Sequence, residues 1–269
     1  MKVSLIIPCY NCEKTIEETY NSVINQNYKN FEIILVDNNS TDNSYNVITA
    51  LIKGCDKSIL LKQPKPGQAA ARNSGAAHAK GEYLLFLDSD DLIDPEFLVK
   101  TVNILDTKPE IKIVTTKGVL FGASTKPWVL PPFSLKNLLS WNCIGISSLI
   151  RKKDFDMVIG FDESFEYFED MDLWISILKT GGQVYLVPEN LFYYRKRESK
   201  DSLTDTVMNN ADRVSDLRLK LYIKHYDFYK QHGFYIQNLF KYESMKKKYY
   251  SIWYKKLFYK IKGKGHNKN

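Results

Sequence analysis

Three carboxylates fall within four residues at Asp88-Ser89-Asp90-Asp91, directly after the apolar run Leu84–Leu87. Like charges so close repel one another, and taking them out of water is costly unless a cation compensates. A strand that empties acids into a loop therefore points to a divalent cation with oxygen ligands, Mg²⁺ or Mn²⁺. The same acids would also suit a solvated loop capping the helix that starts near Pro95. A second acidic pair, Glu169-Asp170, lies 79 residues beyond Asp91 and opens a helix carrying Leu173 and Trp174. A carboxylate at a helix N-terminus is stabilised as the anion, so a low pKa is expected there, compatible with a general base. Helix capping by Glu169, Asp170 and Asp172 is the other use of these residues. Cys9 and Cys12 form a C-x-x-C, but a zinc site would need a second pair, and Cys55 and Cys143 stand far apart. They read as small fillers around a strand end, with a redox pair as the alternative.

The elements that must position these groups alternate. Val3–Ile7, Phe31–Val36, Ser58–Leu61 and Tyr83–Leu87 read as strands. Glu13–Gln26, Ser44–Lys53, Gln68–Ala79 and Pro95–Leu105 read as helices between and after them. Such alternation predicts a mainly parallel sheet with helices on both faces, whose ligands lie beyond the carboxyl ends of the strands. The polar residues obey that rule. Tyr10-Asn11 follows the first strand, Asp37-Asn38-Asn39-Ser40-Thr41-Asp42 the second, and the acidic run the fourth. Residues 111–148 are less regular. Strands are expected again at Ile146–Arg151, Val184–Val187 and Leu191–Tyr194.

Four ordered blocks resemble family 2 glycosyltransferases: VSLIIPCYNCEKTIEETYNSVINQNYKNFEIILVDNNSTDNS, PGQAAARNSGAAHAKGEYLLFLDSDD, GFDESFEYFEDMDLW and YYRKRESKDSL. The resemblance covers roughly residues 1–202. It implies an inverting, non-processive enzyme of the GT-A fold (nucleotide-diphospho-sugar transferase, Rossmann-like), a mixed, mainly parallel α/β sheet. It places uracil and ribose against Pro8, Tyr10, Glu13 and Asp37, with Asn39 supplying the turn where the family often has glycine. Arg72 would contact the diphosphate, order the acidic loop, or form a plain ion pair. Asp88-Ser89-Asp90 matches the D-x-D motif. Asp88 is implied near the ribose or metal shell, Asp90 on the metal, and Asp91 as a further ligand or partner. The metal, Mn²⁺ or Mg²⁺, would bridge the phosphates of a UDP-sugar and offset charge on the departing UDP. The resemblance assigns the base to Asp170. Arg197 stands where the family's terminal block often has histidine. Because arginine stays protonated, a metal-ligand role is dropped, and Arg195 and Arg197 are expected to clamp the pyrophosphate. The turn also lacks the family's second acid, since Asn38 stands there, which loosens the choice of nucleotide.

The chain reads as a catalytic domain over 1–204 and a helical extension over 205–269. From Lys241 to Asn269 there are ten lysines and one glutamate, so this stretch carries +9 of a formal +7 and the rest sums to −2. Tyr250, Trp253, Tyr254, Leu257, Phe258 and Ile261 share one helical face, which reads as an element attracted to an anionic membrane surface or packed on protein. No nucleic-acid module accompanies the basic charge. The expected acceptor is a cell-surface glycan or lipid-linked saccharide. The expected location is cytoplasmic, peripheral on the inner membrane face, with oligomeric state open. Two rivals differ in class. A nucleotidyltransferase would want a glycine-rich phosphate loop where this chain has Pro8-Cys9-Tyr10-Asn11. A non-catalytic sugar-nucleotide-binding protein would not need Asp88, Asp90 and Asp170 together.

Overall fold

A computed structural model of the chain describes residues 1–198 and 203–235. The face expected at Tyr250–Ile261 lies outside the described residues. Contacts divide the chain into two compact units, Met1–Ile223 and Lys224–Asn269. The helices between 205 and 223 fall in the first unit.

The first unit opens with the expected alternation: β1 (Val3–Cys9), α1 (Ile16–Ile24), β2 (Phe31–Asp37), α2 (Ser44–Leu51), β3 (Ser58–Lys62), α3 (Gln68–His78) and β4 (Tyr83–Phe86). β1, β2 and β4 are buried at every position, which explains their near-continuous apolar sequences. β1 lies between β2 and β4, all parallel, and β3 pairs parallel with β2. α3 packs onto this layer through Gly75, where an added Cβ would meet Ile6 Cγ2 at 2.4 Å. That close approach lodges Arg72, one turn earlier, beneath the sheet's carboxyl edge.

The chain continues through β5 (Leu92–Ile93), α4 (Phe97–Thr107), β6 (Ile111–Gly122), β7 (Pro127–Trp128), α5 (Leu135–Ser140), β8 (Leu149–Arg151), α6 (Lys152–Met157), α7 (Glu169–Lys179), β9 (Gln183–Lys196), α8 (Leu203–Met208) and α9 (Ala211–Lys224). Among the described residues the sheet has nine strands, ordered β3-β2-β1-β4-β8-β6-β9-β5, with β7 on β6. β8 runs antiparallel to both β4 and β6, so the sheet is mixed beyond the parallel half. β9 is one long strand parallel to β6, where two short strands were expected. Proline cannot donate to a ladder and is tolerated at a bulge. The β6–β9 register duly slips between Thr116 opposite Val187 and Lys117 opposite Asn190, which absorbs Pro188.

In the second unit, α10 (Tyr226–Gln231) is described, with the Phe228 ring 4.4 Å from His232 and the Tyr229 ring 5.9 Å from Phe234. No helix among the described residues is long and apolar enough to cross a membrane.

Candidate active site

The two acidic blocks meet through one arginine. Arg72 is 1% exposed; its Nη2 donates to Asp88 Oδ1 at 2.8 Å and its Nη1 to Glu169 Oε1 at 2.6 Å. Burying a guanidinium is tolerable only with such compensation, and the two carboxylates supply it. Gln68 Nε2 donates to the same Asp88 Oδ1 at 3.1 Å. Arg72 thus joins the loop after β4 to the start of α7. Nothing in its sequence context distinguishes this pairing from a phosphate contact.

The acids after β4 each have a separate partner. Leu92 pairs with Tyr193, so the antiparallel β5–β9 contact brings the end of β9 alongside Asp90 and Asp91. The Arg195 backbone N–H donates to Asp91 Oδ1 at 2.8 Å, and its Nε donates to the Asp90 carbonyl at 2.7 Å. Its Nη2 reaches Glu18 Oε2 at 2.6 Å. Arg197 Nη2 donates to Asp90 Oδ2 at 2.6 Å. The Ser89 carbonyl accepts from Thr15 Oγ1 at 2.9 Å. Burial, with repulsion from Asp90 and Asp88, holds Asp91 well above the usual carboxylate range, and burial with the Asp88 charge also raises Asp90. The three acids expected to share a cation do not form a cage. Among the described residues no three His, Cys, Asp or Glu side chains are gathered as one ligand set.

Glu169 and Asp170 open α7 directly after Phe168, a buried residue at φ 67°. The left-handed region is costly for a bulky side chain. Asp170 Oδ1 accepts from the Met171 N–H at 2.7 Å and Oδ2 from Asn142 Nδ2 at 2.6 Å. Asn142 is aimed by its own Oδ1, which accepts from the Ile144 N–H. Trp174 Nε1 in turn donates to the Ile144 carbonyl, tying that segment to α7. The low pKa expected for Asp170 is corrected here. Burial and the adjacent Glu169 charge push it up to about 7, against the opposing effects of the Met171 N–H, Arg72 and Asn142. The helix terminus stabilises the anion, but desolvation is larger.

At the ends of β1 and β2, Asp37 is 7% exposed and its Oδ1 has no hydrogen-bond partner. Tyr10, one residue past β1, is 60% exposed. Pro8 is buried in register with Val36. Glu13 is drawn to the start of α2, where Oε2 accepts from the Asn43 N–H at 2.9 Å. Asn39 takes φ 60°, as its glycine-like slot requires, and its Nδ2 donates to the Pro64 carbonyl. Asn38 bonds the Lys65 carbonyl and the Gly67 N–H, so both asparagines fasten the loop before α3. Cys9 and Cys12 are free, buried thiols among the apolar core residues. Sequence reasoning missed Glu18, Gln68 and Asn142, whose parts depend on contacts with distant segments.

The sequence profile of "Glycosyl transferase family 2" matches residues 4–160. "Putative glycosyltransferase EpsE" of Bacillus subtilis (strain 168) is 32% identical over 211 residues, 75% of this chain and 74% of that protein. The "UDP-Glc:alpha-D-GlcNAc-diphosphoundecaprenol beta-1,3-glucosyltransferase WfaP" of Escherichia coli is 32% identical over 189 residues, 66% and 71% of the two chains. The crystal structure of S. aureus TarS 1-349 in complex with UDP-GlcNAc is similar in fold, with a TM-score of 0.64 at 24% identity. That likeness covers 74% of this chain and 59% of the TarS chain.

Proposed function

The chain belongs to glycosyl transferase family 2, and on that premise we propose that it moves one sugar, with inversion, from a UDP-sugar to a hydroxyl of a glycan or lipid-linked saccharide. The observation that carries this reading is the Arg72 bridge, which ties the acidic loop at Asp88 to Glu169 at the start of α7, the residue before Asp170. The uridine preference rests on Asp37. A buried carboxylate oxygen without a partner is an acceptor awaiting a donor, and the imide N–H of uracil is one. Tyr10 is exposed enough to stack on a ring.

Asp170 acts as the base. A carboxyl poised near 7 is half ionised at neutral pH and still basic enough to take the proton of an attacking alcohol. Attack comes from the face of the sugar opposite the diphosphate, so no covalent sugar–enzyme bond is needed. The residues fit a divalent cation in one way. Asp91 is 1% exposed and turned to a backbone amide, and Asp88 is held by the buried Arg72, whereas Asp90, 21% exposed, is paired with the part-exposed Arg197. Asp90 would hold Mn²⁺ or Mg²⁺ together with phosphate oxygens of the donor, as such ions are commonly held by one carboxylate plus substrate phosphate. When bound, the cation supplies Lewis-acid compensation for charge on the leaving diphosphate. Asp88 and Arg72 fix the loop in which Asp90 sits. A basic extension and a lipid-linked acceptor would put the reaction at an anionic membrane surface.

The test is calorimetric titration of UDP, GDP and CDP into the protein and its Asp37→Ala variant, followed by transfer assays with a panel of UDP-sugars. UDP is expected to bind most tightly and to lose about tenfold or more in Asp37→Ala, the worth of a charged hydrogen bond. Equal affinity for the three nucleotides, or no turnover of any UDP-sugar, would overturn the reading.

A further inference from the structure

Trp128 links two segments that the site depends on. Its strand β7 pairs with β6, Trp128 lying opposite Gly118. Two glycines make room for the indole. A Cβ at Gly145 would lie 2.7 Å from Trp128 Cη2, and one at Gly118 would lie 3.1 Å from Cε3. Any side chain at Gly145 would therefore displace the ring. The indole stacks on Tyr194, with 12° between the planes and 5.7 Å between the centroids, and Phe192 packs at 5.1 Å. Tyr194 precedes Arg195, the residue that holds Asp90 and Asp91. Gly145 lies three residues after Asn142, which donates to Asp170. Trp128 thus touches both the strand that carries Arg195 and the segment that aims Asp170. The indole is half-buried, and among the described residues its N–H has no hydrogen-bond partner. A tryptophan held this way offers an apolar ring and one donor at its edge.

We propose that Trp128 seats the sugar ring of the acceptor, the C–H face of a terminal pyranose packing on the indole while the indole N–H donates to one of its hydroxyls. This rests on the reading of Asp170 as the base given above. An alcohol must lie beside that carboxylate to lose its proton, so a ring attached to the segment that aims Asp170 meets the acceptor. A pyranose suits such a surface because its axial hydrogens make one apolar face and its hydroxyls project around the rim. Sites of this kind pair an aromatic lining with a few placed polar groups. Glycerol or the hydroxyl of an amino acid has no comparable face, so the acceptor class is a saccharide end.

The experiment records the indole N–H resonances of the isotope-labelled full chain with UDP bound, while methyl β-D-glucopyranoside, methyl N-acetyl-β-D-glucosaminide or glycerol is added. The chain has four tryptophans, and the Trp128 resonance is the one lost in Trp128→Phe. It is expected to shift with a pyranoside and to stay still with glycerol. Saturation-transfer measurements then compare pyranoside affinity, expected to fall about tenfold in Trp128→Leu and to stay near the parent in Trp128→Phe, which keeps a ring. Titration of UDP into each protein verifies folding, and the shift in the parent stands even where Trp128→Leu fails to fold. No Trp128 shift with either pyranoside while UDP still binds overturns the platform and leaves the nucleotide-sugar reading standing. A parent that binds no UDP overturns both. Equal shifts with glycerol, or pyranoside affinity indifferent to Trp128→Leu, overturn the proposal. Weaker binding of UDP-glucose by Trp128→Leu, with pyranoside binding intact, assigns the ring to the donor and overturns it as well. A Trp128 shift combined with a transfer rate indifferent to Asp170→Asn sinks the base and leaves the platform.

Discussion

Replacing Asp170 by Asn tests the elevated carboxyl through two independent readouts. Between the ordinary value of 3.8 and about 7, the folded chain holds a proton at Asp170 that the unfolded chain has released. Stability must then fall as pH rises across that window and level off above it, since the slope follows the difference in bound protons. At about 1.4 kcal/mol per unit, the ionisation costs roughly 2.3 kcal/mol at pH 5.5 and roughly 4.3 kcal/mol at pH 8. Asn cannot ionise, so the stability of Asp170→Asn relative to the parent should grow by about 2 kcal/mol between those pH values. A constant offset of about 1 kcal/mol is expected as well, because an amide cannot accept from both Asn142 and the Met171 N–H. The offset does not affect the slope, and the other elevated acids, Asp90 and Asp91, are common to both proteins. Urea unfolding at the two pH values measures this difference. In the transfer assay the parent should gain rate with pH up to about 7 and then level off, while the variant loses about 10²–10⁴-fold. A stability difference that ignores pH, or a variant that keeps the parent's rate, would refute the reasoning.

Arg72→Met should destabilise the fold by about 3–5 kcal/mol in urea unfolding, because Asp88 and Glu169 are left facing each other without their shared cation. Gly75→Ala should cost about 1–3 kcal/mol by the same assay, since its methyl would stand 2.4 Å from Ile6 Cγ2 and 3.2 Å from Val36 Cγ2. Asn142→Ala removes a hydrogen bond that favours the ionised Asp170, so the midpoint of the pH–rate profile should move upward by up to about one unit.

The parallel half of the sheet was legible because β1, β2 and β4 are buried at every position and therefore near-continuously apolar, with polar residues following them at one edge. The mixed half was not. β6 alternates too little to reveal a twelve-residue strand, since its Thr115 and Thr116 are buried beside Ile113 and Val114. Pro188 broke the pattern of β9 where the chain itself only bulges. Within the site, acid types and spacing were readable, but their electrostatics were not. The position of Asp170 at a helix start argues for a low pKa, and only packing reveals the desolvation that reverses it. The alliance of Arg72 with Asp88 and Glu169 is likewise a product of tertiary structure, invisible in the segment around Arg72.

That alliance spans 97 positions between Arg72 and Glu169. A chain shortened at residue 160, where the family profile stops, would keep the acid-rich loop and most of the parallel strands. It would lose Glu169 and Asp170 together, stranding a guanidinium with half its countercharge. The centre therefore belongs to neither segment separately. During folding its last piece cannot close until α7 has come home against a sheet whose opening strands formed from the other end of the chain.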